Sequence, residues 1–164
     1  MPKGTYIAIP EVSSERRPII PIGFMGLEVL CSNKLRLIPG ATLYHFGVLT
    51  SHMHMAWTNA VCGRLKSDYQ YSGSVVYNTF PWPTPTEEQK AQIEACAQAV
   101  LDARALYPDC SLADLYDPLT MPAELRKAHR ELNAAVERAY GRKFENDAER
   151  VAHLFALYRS AVVS

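Results

Sequence analysis

The three prolines in residues 81–85, Pro-Trp-Pro-Thr-Pro, constrain the fold more than any other feature of this sequence. Each proline fixes its own backbone φ angle and restricts the residue before it, so this segment must be extended and not helical. β-Branched residues, Tyr, Gly and Pro dominate before it; Ala, Leu, Glu and Arg dominate after it. We therefore predict an α+β chain. A small, irregular β-containing subdomain with one buried helix, residues 1–83, should precede a helical subdomain, residues 84–164.

The charge distribution separates the same two segments. The 164 residues carry 17 Lys or Arg and 17 Asp or Glu, so the formal net charge is zero. Residues 1–83 hold seven basic and four acidic side chains, whereas residues 84–164 hold ten and thirteen. This balance excludes a uniformly basic DNA-coating protein and an acidic solvating tail. An anionic partner should prefer the first segment, which carries the positive excess.

Short β-strands are expected where β-branched and aromatic residues lie between prolines. The candidates are residues 5–9, 19–24, 34–38 and 75–77. Because Pro10, Pro18, Pro21 and Pro39 punctuate the first three, we expect edge or irregular strands there. Residues 66–71 alternate, which predicts a strand with Lys66, Asp68 and Gln70 on one face, before a turn at residues 72–74.

The helical predictions begin at residues 43–61, where apolar residues recur at three- and four-residue steps. This stripe consists of Phe46, Leu49, Met53, Trp57 and Val61. Residues 37–63 contain no Asp, Glu, Lys or Arg, but proline, glycine, histidine and other polar residues interrupt them. A helix buried inside a soluble domain therefore fits better than a membrane span.

The second segment predicts three long amphipathic helices and one short helix, packed as a bundle against the first segment. Thr86 and Gln89 have the spacing of a capping box, and the stripe of the first helix includes Arg104. Residues 111–116 should form the short helix. Pro122 and Gly141 suit the beginning and end of the next helix. The last helix should begin at Asn146. Its apolar side should consist of Val151, Leu154, Phe155, Tyr158 and Val162.

The sequence offers little support for a metal or catalytic site. The cysteines are too far apart for a Cys-x-x-Cys motif and are expected to be buried, reduced thiols: Cys31, Cys62, Cys96 and Cys110. His52 and His54 would diverge on a helix and have no acidic neighbour in sequence, which disfavours a metal pair or a histidine-based hydrolase.

Residues 78–82, Asn-Thr-Phe-Pro-Trp, differ from the Asn-Pro-Pro-aromatic loop of amino-methyltransferases, because Thr79 replaces the first proline. No glycine-rich cofactor-binding strand precedes them. We expect an aromatic anchor between the subdomains instead.

The segment from Arg64 to Gln70 carries side chains that can read bases. Lys66 can donate to guanine O6 and N7, Asp68 can accept from cytosine N4, and Gln70 can form two hydrogen bonds with adenine. A solvated polar strand edge has the same composition, so both interpretations remain open on the residues alone.

Longer motifs resemble the C-terminal part of MmeI-like DNA methyltransferases. In the first segment the motifs are Ile7-Ala-Ile-Pro10, Gly47-Val-Leu-Thr-Ser51, Gly63-Arg-Leu-Lys-Ser-Asp-Tyr-Gln-Tyr-Ser72 and Val76-Tyr-Asn-Thr-Phe-Pro-Trp-Pro83. In the second they are Leu115-Tyr-Asp-Pro-Leu119, Leu125-Arg-Lys-Ala-His129 and Leu154-Phe-Ala-Leu-Tyr158. Such restriction-modification enzymes join an adenine amino-methyltransferase to a target recognition domain, often with an endonuclease in front.

The resemblance implies a partial target recognition domain followed by the family's helical C-terminal region, without the catalytic motifs. It implies that Lys66 and Asp68 act together on one base pair and that Ser67 and Gln70 act on neighbouring pairs. Asn33 and Lys34 would add contacts, and Arg36 and Arg64 would hold phosphates.

The expected partners are double-stranded DNA and a methyltransferase catalytic domain or subunit, in the cytoplasm and without a membrane. S-Adenosylmethionine would bind the full-length enzyme and no cofactor would bind this chain, which should be inactive alone. The alternative is a helical interaction or structural subunit that does not contact DNA.

Overall fold

The structure, a computed structural model, describes residues 6–10, 12–13, 19, 22–25, 35–61, 63–65, 68–70 and 76–163. The described strands are β1 (Tyr6–Pro10), β2 (Val12–Ser13), β3 (Gly23–Met25), β4 (Leu35–Pro39), β5 (Gly63–Leu65) and β6 (Asp68–Gln70). The helices are α1 (Leu43–Thr50), α2 (His52–Val61), α3 (Glu87–Ala105), α4 (Leu112–Leu115), α5 (Ala123–Ala139) and α6 (Asp147–Val163). The α+β prediction is confirmed.

The strands form two antiparallel sheets, in the orders β3-β1-β4 and β2-β6-β5. The predicted strands near the N-terminus are confirmed, although β3 begins at Gly23 rather than at Ile19. The expectation of edge or irregular strands is wrong for β1, which lies between β3 and β4 and pairs in continuous register with both. Pro10 is tolerated because it is the last residue of β1, paired with Leu35 at the end of the ladder.

The helix predicted over residues 43–61 is divided into α1 and α2. Ser51 between them is extended, with φ −77° and ψ 163°. Its hydroxyl donates to the Val48 carbonyl at 2.6 Å, and the next amide, His52 N–H, donates to Asn133 Oδ1 at 2.8 Å. The apolar stripe survives the break, since Phe46, Leu49, Met53 and Trp57 are buried. Side-chain and backbone hydrogen bonds thus break a helix whose periodicity continues.

Residues 76–86 contain no strand. Val76 and Tyr77 form a short, wide helical turn instead of the predicted strand, and residues 80–86 are not helical, as the prolines require. Phe80 N–H donates to the Tyr77 carbonyl at 3.4 Å. The predicted turn at residues 72–74 lies outside the described residues.

The helical subdomain follows most of its sequence signals. The capping box of α3 is present, with Gln89 N–H donating to Thr86 Oγ1 at 3.2 Å and Thr86 N–H donating to Gln89 Oε1 at 3.0 Å. Gly141, just after α5, has a φ of 87°, which favours glycine. Pro122 lies one residue before α5, at its N-cap.

The last helix differs from its prediction. α6 packs on α2, where Trp57 contacts Phe155 and Tyr158 with ring centroids 4.9 and 5.9 Å apart. Val162 is 65% exposed, however. The ten residues of α2 span roughly 15 Å, and the 17 of α6 span roughly 26 Å, so α6 extends beyond its partner. Of the helices in the described part of the chain, none has the length and hydrophobicity to cross a membrane.

Candidate nucleic-acid interface

The base-reading candidates lie at a β-hairpin rather than on one continuous strand. β5 and β6 pair antiparallel, with Leu65 opposite Asp68 and Arg64 opposite Tyr69. Of the strand predicted over residues 66–71, Asp68–Gln70 forms β6, and residues 66, 67 and 71 lie outside the described residues. A strand pattern of alternating polar residues does not distinguish one strand from two that meet at a short connection.

Two connections fix this hairpin to the core. β6 also pairs with β2, with Val12 opposite Gln70, and β2 follows β1 after a single intervening residue. Before β5, the chain leaves α2, whose Met53 and Trp57 are buried. The sheet of the hairpin is thus connected, within one or two residues along the chain, to the central strand of the other sheet and to a buried helix.

The eight predicted site residues divide into three groups. Arg64, Asp68 and Gln70 come together in the sheet β2-β6-β5, and Arg36 lies in the other sheet, opposite Ile9. For these four residues the structure describes the backbone. The other four lie where the structure gives no description: Asn33, Lys34, Lys66 and Ser67. The contacts of all eight with DNA stay predictions.

An aromatic cluster lies where the first segment meets the helices, and Tyr140 of the helical subdomain donates its hydroxyl hydrogen to the Pro81 carbonyl there at 2.7 Å. Phe80 is buried and packs against His54 and Trp82, with ring centroids 4.6 and 5.6 Å apart. Trp57 Nε1–H donates to Thr79 Oγ1 at 3.2 Å. The predicted aromatic anchor is confirmed, and Thr79, the residue that departs from the methyltransferase loop, has a structural contact.

A buried polar cluster that the sequence analysis did not identify connects the subdomains. Arg104 of α3 donates from Nε and Nη2 to the Tyr116 hydroxyl at 2.9 and 2.6 Å, and from Nη1 to the Ile22 carbonyl at 2.7 Å. The Tyr116 hydroxyl is 2.7 Å from His129 Nε2. Burial, and next the nearby Arg104, lower the pKa of His129 to about 3, so the ring is neutral. The one available signal was an arginine on the apolar stripe of α3.

The expectation of buried thiols is wrong for Cys110, which is exposed, and Cys96 is half-buried. Burial raises the pKa of the Cys96 thiol. Cys31 and Cys62 lie outside the described residues. Within the described ranges, no three His, Cys, Asp or Glu side chains group as metal ligands. Burial lowers the pKa of His54 to about 3 and also lowers that of half-buried His52.

Comparison with known proteins gives agreeing results for both segments. The family model of the MmeI target recognition domain matches residues 1–84, and that of the MmeI C-terminal domain matches residues 85–163. DNA methyltransferase A of Bacillus subtilis (strain 168) is 47% identical over 154 residues, which are 93% of this chain and 17% of that protein. The type IIL restriction-modification enzyme MmeI, solved in complex with DNA, superposes with a TM-score of 0.96 and 49% identity, over 99% of this chain and 22% of that one. The chain thus spans about a fifth of the length of these relatives.

Proposed function

This chain belongs to the MmeI family, and from that membership we propose that it recognises the DNA target sequence for a methyltransferase of a restriction-modification system. Residues 1–83 would act as part of the recognition domain, and residues 84–164 would form the helical subdomain that supports it. The interaction subunit without DNA contact is the less favoured alternative, because the match covers the recognition domain itself.

The β5–β6 hairpin is the observation that carries this proposal. It lies within the residues that match the target recognition domain, and it brings Arg64, Asp68 and Gln70 into one small sheet. A two-stranded ribbon fits the major groove of B-DNA, where each base pair displays a distinct donor and acceptor pattern. A relative with nearly the same fold was solved bound to DNA, which supports double-stranded DNA as the partner.

Separate roles are assigned to the candidate residues. Lys66 would donate to guanine and Asp68 would accept from the paired cytosine, so that the two read one G·C pair. Ser67 and Gln70 would contact neighbouring pairs, with further contacts from Asn33 and Lys34. Arg36 and Arg64 would hold backbone phosphates, which position the protein without reading sequence.

The methyl transfer would take place outside this chain. We assign S-adenosylmethionine to a catalytic domain or subunit with which this chain works in the cytoplasm, and expect the chain alone to methylate nothing. Calorimetric titration of the chain with S-adenosylmethionine should give no saturable heat, and a micromolar dissociation constant would contradict this assignment.

The direct test exchanges the charges of the proposed reading pair. Lys66→Glu with Asp68→Arg, installed in the assembled methyltransferase, should change the recognised G·C pair to C·G, because glutamate accepts from cytosine and arginine donates to guanine. Discrimination against the original pair should be roughly 5- to 150-fold, since a good contact contributes about 1–3 kcal/mol. Sequencing of the methylated positions gives the answer.

A matched control uses another lysine and acidic residue that lie two positions apart, in the connection between α5 and α6. Lys143→Glu with Glu145→Arg makes the same charge exchange at side chains that are both exposed. This control should keep the original recognition sequence. If the Lys66 and Asp68 exchange also keeps the original sequence at full activity, these residues do not read bases and the hairpin proposal fails.

A further inference from the structure

A cleft of about 290 Å³ lies between the two subdomains. Ile19 and His52 line one side. The other side is lined by Arg126, His129, Arg130 and Asn133 of α5, at spacings of three, one and three residues. Residues so spaced share one face of a helix, so α5 presents a continuous polar stripe to the cleft.

The hydrogen bonds of His129 determine which ring nitrogen carries its proton. The Tyr116 oxygen accepts two hydrogen bonds from Arg104, so its own proton is directed to His129 Nε2, 2.7 Å away. A neutral ring whose Nε2 accepts must carry its hydrogen on Nδ1. His129 is only 3% exposed, and its Nδ1 has no hydrogen-bond partner among the described residues. The cleft wall therefore contains an enclosed N–H group whose NMR signal can report on charge that enters the cleft.

Other groups at the cleft are also donors. Asn133 Oδ1 accepts from the His52 N–H at 2.8 Å, which leaves the Asn133 amide nitrogen as a donor without a described partner. His52 is the first residue of α2, whose N-terminus carries a partial positive charge. Arg126 donates to the Pro118 carbonyl at 2.6 Å, which holds its guanidinium beside the cleft.

The cleft is positively charged, whereas the helical subdomain that forms one of its sides carries an excess of acidic residues. Two arginines line it, and the described lining contains no Asp or Glu. Arg130 is exposed and makes no ion pair with a described residue. Two acidic residues do act electrostatically on His52, but Arg150 binds both, at 2.8 Å from Glu137 and 2.7 Å from Asp147. A lining with two arginines and without described carboxylates suits an anion with several oxygens.

We propose that this cleft binds a phosphate group, with Arg130 and Arg126 as its charged contacts, Asn133 as a neutral donor and His129 in the wall beside it. The phosphate is either a free ion or part of a DNA backbone. The second source rests on the proposed function, whereas the first does not.

Inorganic phosphate is the probe. Thermal unfolding of the whole 164-residue chain is followed against phosphate concentration, with chloride at matched ionic strength as reference. A ligand that binds the folded state raises the midpoint in a saturable way. Arg130→Gln should weaken phosphate binding about tenfold, since it removes one charge-assisted hydrogen bond. The matched control is Arg159→Gln, which alters an exposed arginine of α6 that does not line the cleft and should bind as the parent does.

A second readout depends on the position of His129. In ¹⁵N NMR spectra its Nδ1 signal should shift with added phosphate, to saturation at the same concentration as the thermal effect. No saturable binding, equal affinities of the two variants, or a His129 signal that stays fixed while phosphate binds would each overturn the proposal.

A short DNA duplex distinguishes the two sources. If the cleft holds a backbone phosphate, inorganic phosphate competes with the duplex, and Arg130→Gln weakens duplex binding while lowering its salt slope by about one. If the ligand is free phosphate, the duplex binds both variants equally and phosphate does not compete. Either result supports a phosphate site in the cleft. Failure of the Lys66 and Asp68 exchange would contradict the proposed role of the hairpin and not the phosphate site.

Discussion

Replacing the buried Arg104 tests whether the polar cluster holds the two subdomains together. Arg104 is 9% exposed and donates three hydrogen bonds of 2.6–2.9 Å, two to the Tyr116 hydroxyl and one to the Ile22 carbonyl. Its guanidinium carbon also lies 5.1 Å from the Phe46 ring centroid. Arg104→Met keeps most of the volume and removes every donor. The cost should therefore come from hydrogen bonding rather than from a cavity.

The size of the effect follows from these contacts. A hydrogen bond from a charged donor contributes about 1.5–3 kcal/mol, so two lost partners correspond to roughly 3–6 kcal/mol. Relief from burying a charged guanidinium opposes this loss. We expect Arg104→Met to lower the free energy of unfolding by about 3 kcal/mol, a large share of the roughly 5–15 kcal/mol of an ordinary domain. The melting temperature should fall by about 6–12 °C.

Urea unfolding followed by tryptophan fluorescence measures this change. Arg159→Met on the exposed side of α6 is the control and should cost less than about 0.5 kcal/mol. Tyr116→Phe combined with Arg104→Met should cost less than the sum of the single changes, because both remove the same hydrogen bonds. If Arg104→Met costs no more than Arg159→Met, the cost of burying the charge equals the stabilisation from its hydrogen bonds. The polar cluster then does not hold the two subdomains together.

Three further predictions concern stability. Gly47→Ala should destabilise the protein by about 1–3 kcal/mol in urea unfolding, because its new Cβ would lie 2.8 Å from Ile93 Cγ2; an unchanged midpoint would show that Ile93 moves aside freely. Thr86→Ala should cost about 1 kcal/mol by removing the α3 cap, whereas Thr86→Ser, which keeps the hydroxyl, should cost little. His54 and His129 have pKa values lowered to about 3, so the unfolded chain binds more protons below about pH 6.5. The free energy of unfolding should therefore decline between about pH 7 and 5, before most carboxylates titrate, and a flat profile there would contradict the buried, neutral rings.

The sequence predicted the helical subdomain well because its signals are local. Capping residues such as Thr86 and the glycine at position 141 act on their own helix ends, and the apolar stripes follow from periodicity. The exposed end of α6 was not predictable in this way. It depends on where the shorter α2 stops, which is a relation between two helices.

The errors in the first segment have the same origin. The break at Ser51 depends on Asn133, 81 residues beyond His52, which no local pattern reveals. The antiparallel pairing of β5 with β6 was missed because the alternation of polar residues is similar in both strands. The residue types at the hairpin still indicated base-reading chemistry, since that inference uses functional groups and not their arrangement.

The short connection between β1 and β2 affects which residues of the chain can be substituted. One residue separates them, so residues 6–13 belong first to the sheet that buries Ile7 and Ile9 and then to the sheet of the hairpin. The ladders join backbone groups, which remain when side chains such as Asp68 or Gln70 are exchanged. Substitutions at these two positions can therefore leave the backbone ladders and the core sequence unchanged, so the fold should tolerate them at little cost in stability.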